Sequence, residues 1–150
     1  MKILKVNKFM KKDKKHEQFF IGVNPLITKK SKLLLGRRKD VFGDNTWGLP
    51  GGHLEFNETI EKCAERELLE ETNMKCKTFF INNIVSQFQK NGKYYLQIGV
   101  ETKNVKGEPK NMEPHKCHEL KWFDFNKLPK NIFKNHQEQI RNFLKSKNLK

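Results

Sequence analysis

Residues 52–74 read Gly52-His53-Leu54-Glu55-Phe56-Asn57-Glu58-Thr59-Ile60-Glu61-Lys62-Cys63-Ala64-Glu65-Arg66-Glu67-Leu68-Leu69-Glu70-Glu71-Thr72-Asn73-Met74. Ile60, Ala64 and Leu68 recur every fourth residue, which predicts a helix over 59–72 packed on a sheet. Asn57 or Thr59 is placed to cap its start. Glu67, Glu70 and Glu71 stand three and four apart, so a helix puts them on one face within a turn of each other. Like charges held that close repel, and Arg66, the adjacent cation, is directed about a quarter-turn away. A divalent cation answers the repulsion, and hard carboxylate oxygens suit Mg²⁺ or Mn²⁺. Glutamate is also a good helix former, so an isolated Glu-x-x-Glu-Glu reads equally as a solvated face. The rest of the segment decides between the two.

That segment resembles the Nudix box: Gly, five residues, Glu, seven residues, then Arg-Glu-apolar-x-Glu-Glu-x-Gly-apolar. Eight of the nine specified positions match, from Gly52 to Met74. Such a match arises by chance on the order of once in a million chains of ordinary composition. The departure is Asn73 where the box has Gly. That position closes the helix in a left-handed conformation, for which Asn is the next best residue, so the chemistry is expected to survive.

The resemblance implies a Nudix-type α/β/α sandwich with a mixed β-sheet, and hydrolysis of a nucleoside diphosphate linked to another group. It extends over most of residues 19–145 and is sharpest at 47–56 and 108–117. Those pieces look like the MutT-related branch of nucleoside triphosphate diphosphatases, which includes a human enzyme acting on thioguanine nucleotides and plant cytosolic relatives. The branch cleaves triphosphates, including oxidised or modified purines, to monophosphate and pyrophosphate.

The same resemblance assigns roles. Glu67 and Glu71 become the firmest metal ligands. Glu70 is a further ligand or the group that orients or deprotonates water, and family members differ in which glutamate is the base. Arg66 orients a neighbouring glutamate by a charge-assisted bond, and Glu58 is structural. Gly51 and Gly52 allow close backbone approach, and in relatives a carbonyl of this pair binds the metal. Glu113 falls where some MutT-like enzymes place an extra metal glutamate. His53 is either a phosphate contact or an ordinary loop histidine. Phe133, after Leu128-Pro129, falls where branch members place an aromatic against the base; packing in the core is the equal alternative. Lys134 and Asn135 replace a Trp-Gly pair of the branch, which leaves base selectivity open with Asn135 at the substrate. His115, Cys117 and His118 are too close in sequence to surround one tetrahedral zinc.

Size and composition fit one domain. A chain of 150 residues can bury a core, and the boundaries are expected at a basic arm over 1–17 and a Nudix domain over 18–150. No run approaches the roughly 18 apolar residues of a membrane helix, and the Lys-rich start lacks the apolar segment of a secretory signal. Three cysteines at unpatterned spacing favour a reduced, cytoplasmic protein. Of the net charge of +14, residues 1–15 and 127–150 carry +12. That distribution reads as weak attraction to RNA or nucleotides, or as drift in a chain with 27 Lys and 15 Asn. The second reading is favoured, because no RNA-reading motif accompanies the basic ends.

Strands are expected over 19–28, 33–35, 76–81, 84–90, 94–105 and 120–123, with Asn91-Gly92 as a hairpin turn and a polar loop over 107–118. A closing amphipathic helix is expected over 131–146, with Ile132, Phe133, Ile140, Phe143 and Leu144 inward. Three functions follow. The first is a Mg²⁺-dependent nucleoside triphosphate pyrophosphohydrolase. The second keeps the chemistry but takes ADP-ribose, a nucleotide sugar, a dinucleoside polyphosphate or a capped RNA end. The third is an inactive Nudix module that binds nucleotide or RNA; three clustered carboxylates argue against it. Near relatives are homodimers, so a dimer is expected.

Overall fold

The computed structural model describes residues 18–89 and 92–149; the basic arm and Asn91 of the expected turn lie outside them. β1 (Gln18–Leu26) runs parallel to β7 (Lys93–Lys103), with Phe19 opposite Tyr94 and Val23 opposite Ile98. β6 (Thr78–Phe88) pairs antiparallel with the other side of β7, and the two-residue β5 (Gly52–His53) with the other side of β1. The first sheet is therefore mixed, in the order β5-β1-β7-β6. β5 grips only Gly22 and Val23, so Pro25 sits beyond it with β7 alone, where a missing N–H is tolerated. A second, antiparallel sheet is built on β3 (Lys32–Arg38), which pairs with β2 (Thr28–Lys29), β4 (Trp47–Gly48) and β8 (Cys117–Asp124).

Two helices cover opposite faces. α1 (Ile60–Thr72) buries Cys63 and Ala64 against Val23, Ile98 and Val100, the face on which odd residues of β1 and even residues of β7 point. Leu68 goes into a second cluster with Ile27, Leu34, Met74 and Cys76. α2 (Gln137–Ser146) takes the other face, packing Ile140 and Phe143 on Leu26, Leu33, Leu35, Trp47 and Leu49. The expected α/β/α sandwich is present.

The start of α1 is capped by Thr59, whose Oγ1 accepts the Lys62 N–H at 3.2 Å. Its end is closed by Asn73 in the left-handed region, φ 57° and ψ 16°, with its N–H on the Leu69 carbonyl. The box position that departs from Gly thus keeps the Gly conformation.

Several boundaries differ from expectation, two of them by whole segments. Residues 76–81 and 84–90 are not two strands: β6 is continuous, with a bulge between Ile81 and Asn83. The bulge turns the amides of Asn82 and Asn83 to Ser146 Oγ and the Gln139 carbonyl on α2, which explains two consecutive polar residues mid-strand. The second helix begins at Gln137, not 131. Residues 131–133 are held extended because the Trp47 N–H donates to the Asn131 carbonyl and the Phe133 N–H to the Trp47 carbonyl; a 3-10 turn over Lys134–His136 then leads into α2. Among the described residues no helix is long and apolar enough to cross a membrane.

The left-handed cap makes a test. Asn73→Ala should lower the unfolding free energy by about 1 kcal/mol, the scale of placing an ordinary side chain in that region. Asn73→Gly should leave it level or slightly higher. Urea unfolding of both variants checks this, and a greater loss with Gly than with Ala would contradict the cap.

Candidate active site

α1 begins behind β5 and ends beside residues 49–51, so its carboxylates come up against the Gly51-Gly52 loop. Gly52 is closed to a side chain by that approach, and Gly51 by β1 and its positive φ. A Cβ on Gly52 would lie 2.2 Å from Glu67 Oε1, and one on Gly51, whose φ is +143°, would lie 2.3 Å from the Val23 carbonyl. The Gly51 N–H donates to Glu71 Oε2 at 3.2 Å.

The three glutamates do not share one environment. Glu67 is buried and accepts from Arg66 Nη1 at 2.6 Å. Glu70 is exposed, 3.4 Å from the same nitrogen. Arg66 also holds Glu58, through Nε at 2.8 Å and Nη2 at 3.0 Å, and donates to the His53 carbonyl at 3.1 Å. The sequence-based view that Arg66 points away from the carboxylates is therefore corrected. Its long side chain folds back over its own helix face, reaching Glu70 one turn on and Glu58 in the preceding loop. It shares its single positive charge among Glu58, Glu67 and Glu70. Hydrogen bonds from Arg66 hold the Glu58 carboxyl down to about 2, the mark of a structural anion.

Glu71 is left out of that network. It is partly buried, and among the described residues no Lys or Arg lies within ion-pair distance of it. Burial first, then repulsion from Glu67 and Glu113, pushes its pKa up to about 8, and the Gly51 N–H and the distant Lys116 offset this only in part. Burial likewise raises Glu67, against the bonds from Arg66.

Glu113 reaches the same place from residues 104–116, which are pinned to the end of α1. The Lys110 N–H donates to the Thr72 carbonyl and the Met112 N–H to the Glu71 carbonyl. Lys116 Nζ lies 3.5 Å from Glu113. Among the described residues no three of these carboxylates already converge at metal-ligand spacing. The donor set nevertheless fits a hard divalent cation: oxygen atoms only, from Glu67, Glu71, Glu113 and the backbone of Gly51 and Gly52, with one partly buried carboxylate short of positive charge.

A cleft of about 960 Å³ opens above this floor. Gly51, Gly52, His53, Glu71, Glu113, Phe133 and Asn135 all line it; Arg66, Glu67 and Glu70 do not. His53 stacks on Phe20 at 5.1 Å. Phe133 is buried, yet its ring faces the cleft between the edges of Phe42 and His136, with the Arg38 guanidinium 4.1 Å above it. It both packs and lines, so the two alternatives for this residue are not exclusive. The Asn135 carbonyl accepts from Gln87 Nε2.

Asn24, Arg38, Gln97 and His136 also line the cleft and were not singled out from the sequence. Asn24 and Gln97 carry a faint signal, as single polar residues inside the apolar runs of β1 and β7. His136 carries none, because only the fold brings it beneath Gly48. It is buried, and burial and the nearby Arg38 hold its pKa down to about 3.

A helix that lays carboxylates against a paired-glycine loop, within an α/β/α sandwich, is the arrangement of the MutT-type hydrolases. The chain superimposes on a MutT Nudix hydrolase from Burkholderia pseudomallei with a TM-score of 0.79, at 26% identity over 84% of this chain and 98% of that one. A profile of the NUDIX domain matches residues 19–144; the chain belongs to the Nudix family and is a hydrolase of that family. It is 31% identical over 85% of its length to an ADP-ribose pyrophosphatase of Methanocaldococcus jannaschii, spanning 75% of that protein. It is 33% identical over 69% of its length to an oxidized purine nucleoside triphosphate hydrolase of Danio rerio, of which it spans 65%, just under two thirds.

The charge on Glu71 predicts how stability varies with pH. In the unfolded chain this carboxyl ionises near 4.5; in the folded protein it keeps its proton up to about 8. Its contribution is therefore complete below 4.5 and is lost as pH rises to 8. His136 acts in the opposite sense, binding a proton near 6.5 when unfolded but only near 3 when folded, so its contribution is lost as pH falls below 6.5. Between pH 6.5 and 8 Glu71 acts without His136. The melting temperature of chelator-treated protein should fall across that range, and that of Glu71→Gln should stay flat. Parallel curves for the two proteins would contradict the assignment.

Proposed function

We propose that the protein hydrolyses nucleoside triphosphates, oxidised or modified purine nucleotides among them, to nucleoside monophosphate and pyrophosphate with Mg²⁺, or Mn²⁺ in its place. One observation carries this reading. A single cleft joins a carboxylate-and-glycine end (Glu71, Gly51, Gly52, Glu113) to an aromatic end fit for a base (Phe133, Phe42, Arg38). The names of the Danio rerio relative and of a putative 8-oxo-dGTP diphosphatase of Bacillus subtilis, 27% identical over 79% of this chain, agree with it.

When bound, the cation neutralises the phosphate charges that repel an attacking water and makes that water a better nucleophile. The chain's own residues hold and orient. Glu67, Glu71, Glu113 and a carbonyl of the Gly pair would ligate the cation. Arg66 fixes Glu67 and locks the approach of α1 to the loop through Glu58. Glu70, exposed at the edge and only loosely held, is free to take or orient a proton of water. His53 is placed for a phosphate, and Asn135 lies beside the base end.

The name of the Methanocaldococcus jannaschii relative favours a second reading, ADP-ribose as substrate with the same site. Either fits a cytoplasmic enzyme, in keeping with free Cys63, Cys76 and Cys117. A homodimer is part of the proposal. β6 is the outer strand of the first sheet and has no charged residue over Thr78–Phe88, so like-charged copies repel least there.

With dGTP, chromatography should show dGMP and pyrophosphate and no dGDP; rapid ADP-ribose cleavage without triphosphate turnover would favour the second reading. Excess EDTA should abolish turnover while leaving the far-UV circular dichroism unchanged. Glu71→Gln should lower kcat by roughly a hundredfold or more, the scale of losing one preorganised charge at the reacting group. Mg²⁺ should then raise its melting temperature less than that of the wild type; near-normal turnover would remove Glu71 from the ligand set.

A further inference from the structure

The first sheet is covered unevenly on the side of α1. Register partners on neighbouring strands share a face, so rows of side chains cross that side. Val23, Ile98 and Ile84 form one row, and Ile21, Leu96 and Ser86 the next. Phe19, Tyr94 and Phe88 form the last, and Ile81 stands opposite Val100. α1 covers only part of this surface. Ile98 and Val100 are 5% and 1% exposed, whereas Ile84 and Ile81, their partners on β6, are 56% and 52% exposed. In the last row Phe19 is 65% and Phe88 71% exposed, and Phe19 stacks on Tyr94 at 5.1 Å. No position in these rows carries a charge.

Contiguous apolar surface of this kind on a folded domain marks a place where something docks. The chain itself supplies a matching segment. Residues 1–17 precede Gln18, the neighbour of Phe19, and their sequence falls into two parts. Met1, Ile3, Leu4, Val6, Phe9 and Met10 make six apolar residues in the first ten, with Lys2, Lys5 and Lys8 between them. Lys11-Lys12-Asp13-Lys14-Lys15-His16-Glu17 then holds no apolar residue. Seven residues span up to about 23 Å when extended, and β6 lies two strands, about 10 Å, from β1. The polar spacer is therefore long enough to bring the apolar segment back over the face.

We propose that residues 1–10 dock on their own chain, over the apolar face formed by Phe19, Tyr94, Ile81, Ile84 and Phe88. Tethering gives the segment an effective concentration that is roughly millimolar. A second copy has no such advantage, and it brings its own net charge of +14 against the first. The lysines among the apolar residues lay their methylene stems along the face and keep their ammonium groups in water. The face has no charge of its own, so the basic segment meets no opposing cation there. Docking on the face leaves the outer edge of β6 to the second copy proposed above. The basic arm is then a cover for the sheet and not a reader of nucleic acid.

A nitroxide attached to the full chain at Lys8→Cys, in a Cys117→Ser background, reports where the segment lies; the other cysteines, Cys63 and Cys76, are buried. Backbone amide signals of Ile81 and Ile84 should lose intensity, and those of Ile140 and Phe143, on the opposite side under α2, should keep it. Mixing spin-labelled protein of natural isotope content with isotope-labelled protein that carries no nitroxide should abolish the loss. A loss that survives mixing would put a second copy on the face, and undiminished signals at Ile81 and Ile84 would leave the face uncovered; either overturns the proposal. A second measurement needs no label. Ile3→Asp combined with Val6→Asp, in the full chain, should raise the fluorescence of a dye that binds exposed apolar surface several-fold over the wild type. Equal dye fluorescence in the two proteins would also overturn the proposal.

Discussion

The carboxylate of Glu71 stands in the wall of the cleft with one backbone N–H against it and, among the described residues, no Lys or Arg within ion-pair distance. Much of the local architecture exists to hold it there. A Cβ on Gly52 would run into the Glu67 carboxylate of α1, and one on Gly51, at φ +143°, into the Val23 carbonyl and Asn24 of β1. Thr59 and Asn73 set where α1 starts and stops. Cys63, Ala64 and Leu68 fix its rotation on the sheet, and that rotation decides which glutamate faces inward. The loop carrying Glu113 is tied to the carbonyls of Glu71 and Thr72, so the second approach to the site depends on the same helix end.

Arg66 divides the negative charge of the box into two parts. Glu58, Glu67 and Glu70 share one guanidinium, and Glu58 is driven far toward its ionised form by it. Glu71 receives none of that compensation. A cluster that looks uniform along the chain is thus a structural salt-bridge network beside one carboxylate outside it, which is only partly compensated. Burial raises the energy of an ionised carboxylate more than a single amide bond restores, so the folded protein without a cation favours the protonated acid. In the proposed metal-dependent reading, the call for a divalent ion comes from this residue more than from the number of glutamates.

The box, its helix and both caps were legible because their signals are local: four-residue apolar spacing, Thr59 before the run and Asn73 after it. The layered fold followed from resemblance and from the order of strands and helices. What stayed hidden depends on distant pairing. The parallel match of β1 with β7 puts Asn24 and Gln97 on one cleft floor, and nothing near either residue announces it. Residues 131–133 have helical spacing but are captured by Trp47. Asn82-Asn83 looks like a break but is a bulge whose amides are used by α2. The reach of Arg66 to Glu58 and Glu70 was not legible, because spacing along a helix gives the direction of Cβ, not the reach of a long side chain.

Proton release on metal binding tests the central claim most directly. Titrating Mn²⁺ into the protein without nucleotide at pH 6.5, in buffers of different ionisation enthalpy, counts the protons displaced. Because Glu71 holds its proton to about pH 8 in the folded protein, binding should release close to one proton in the wild type and none in Glu71→Gln. Binding with no proton released by the wild type, or with equal release by both, would contradict the account.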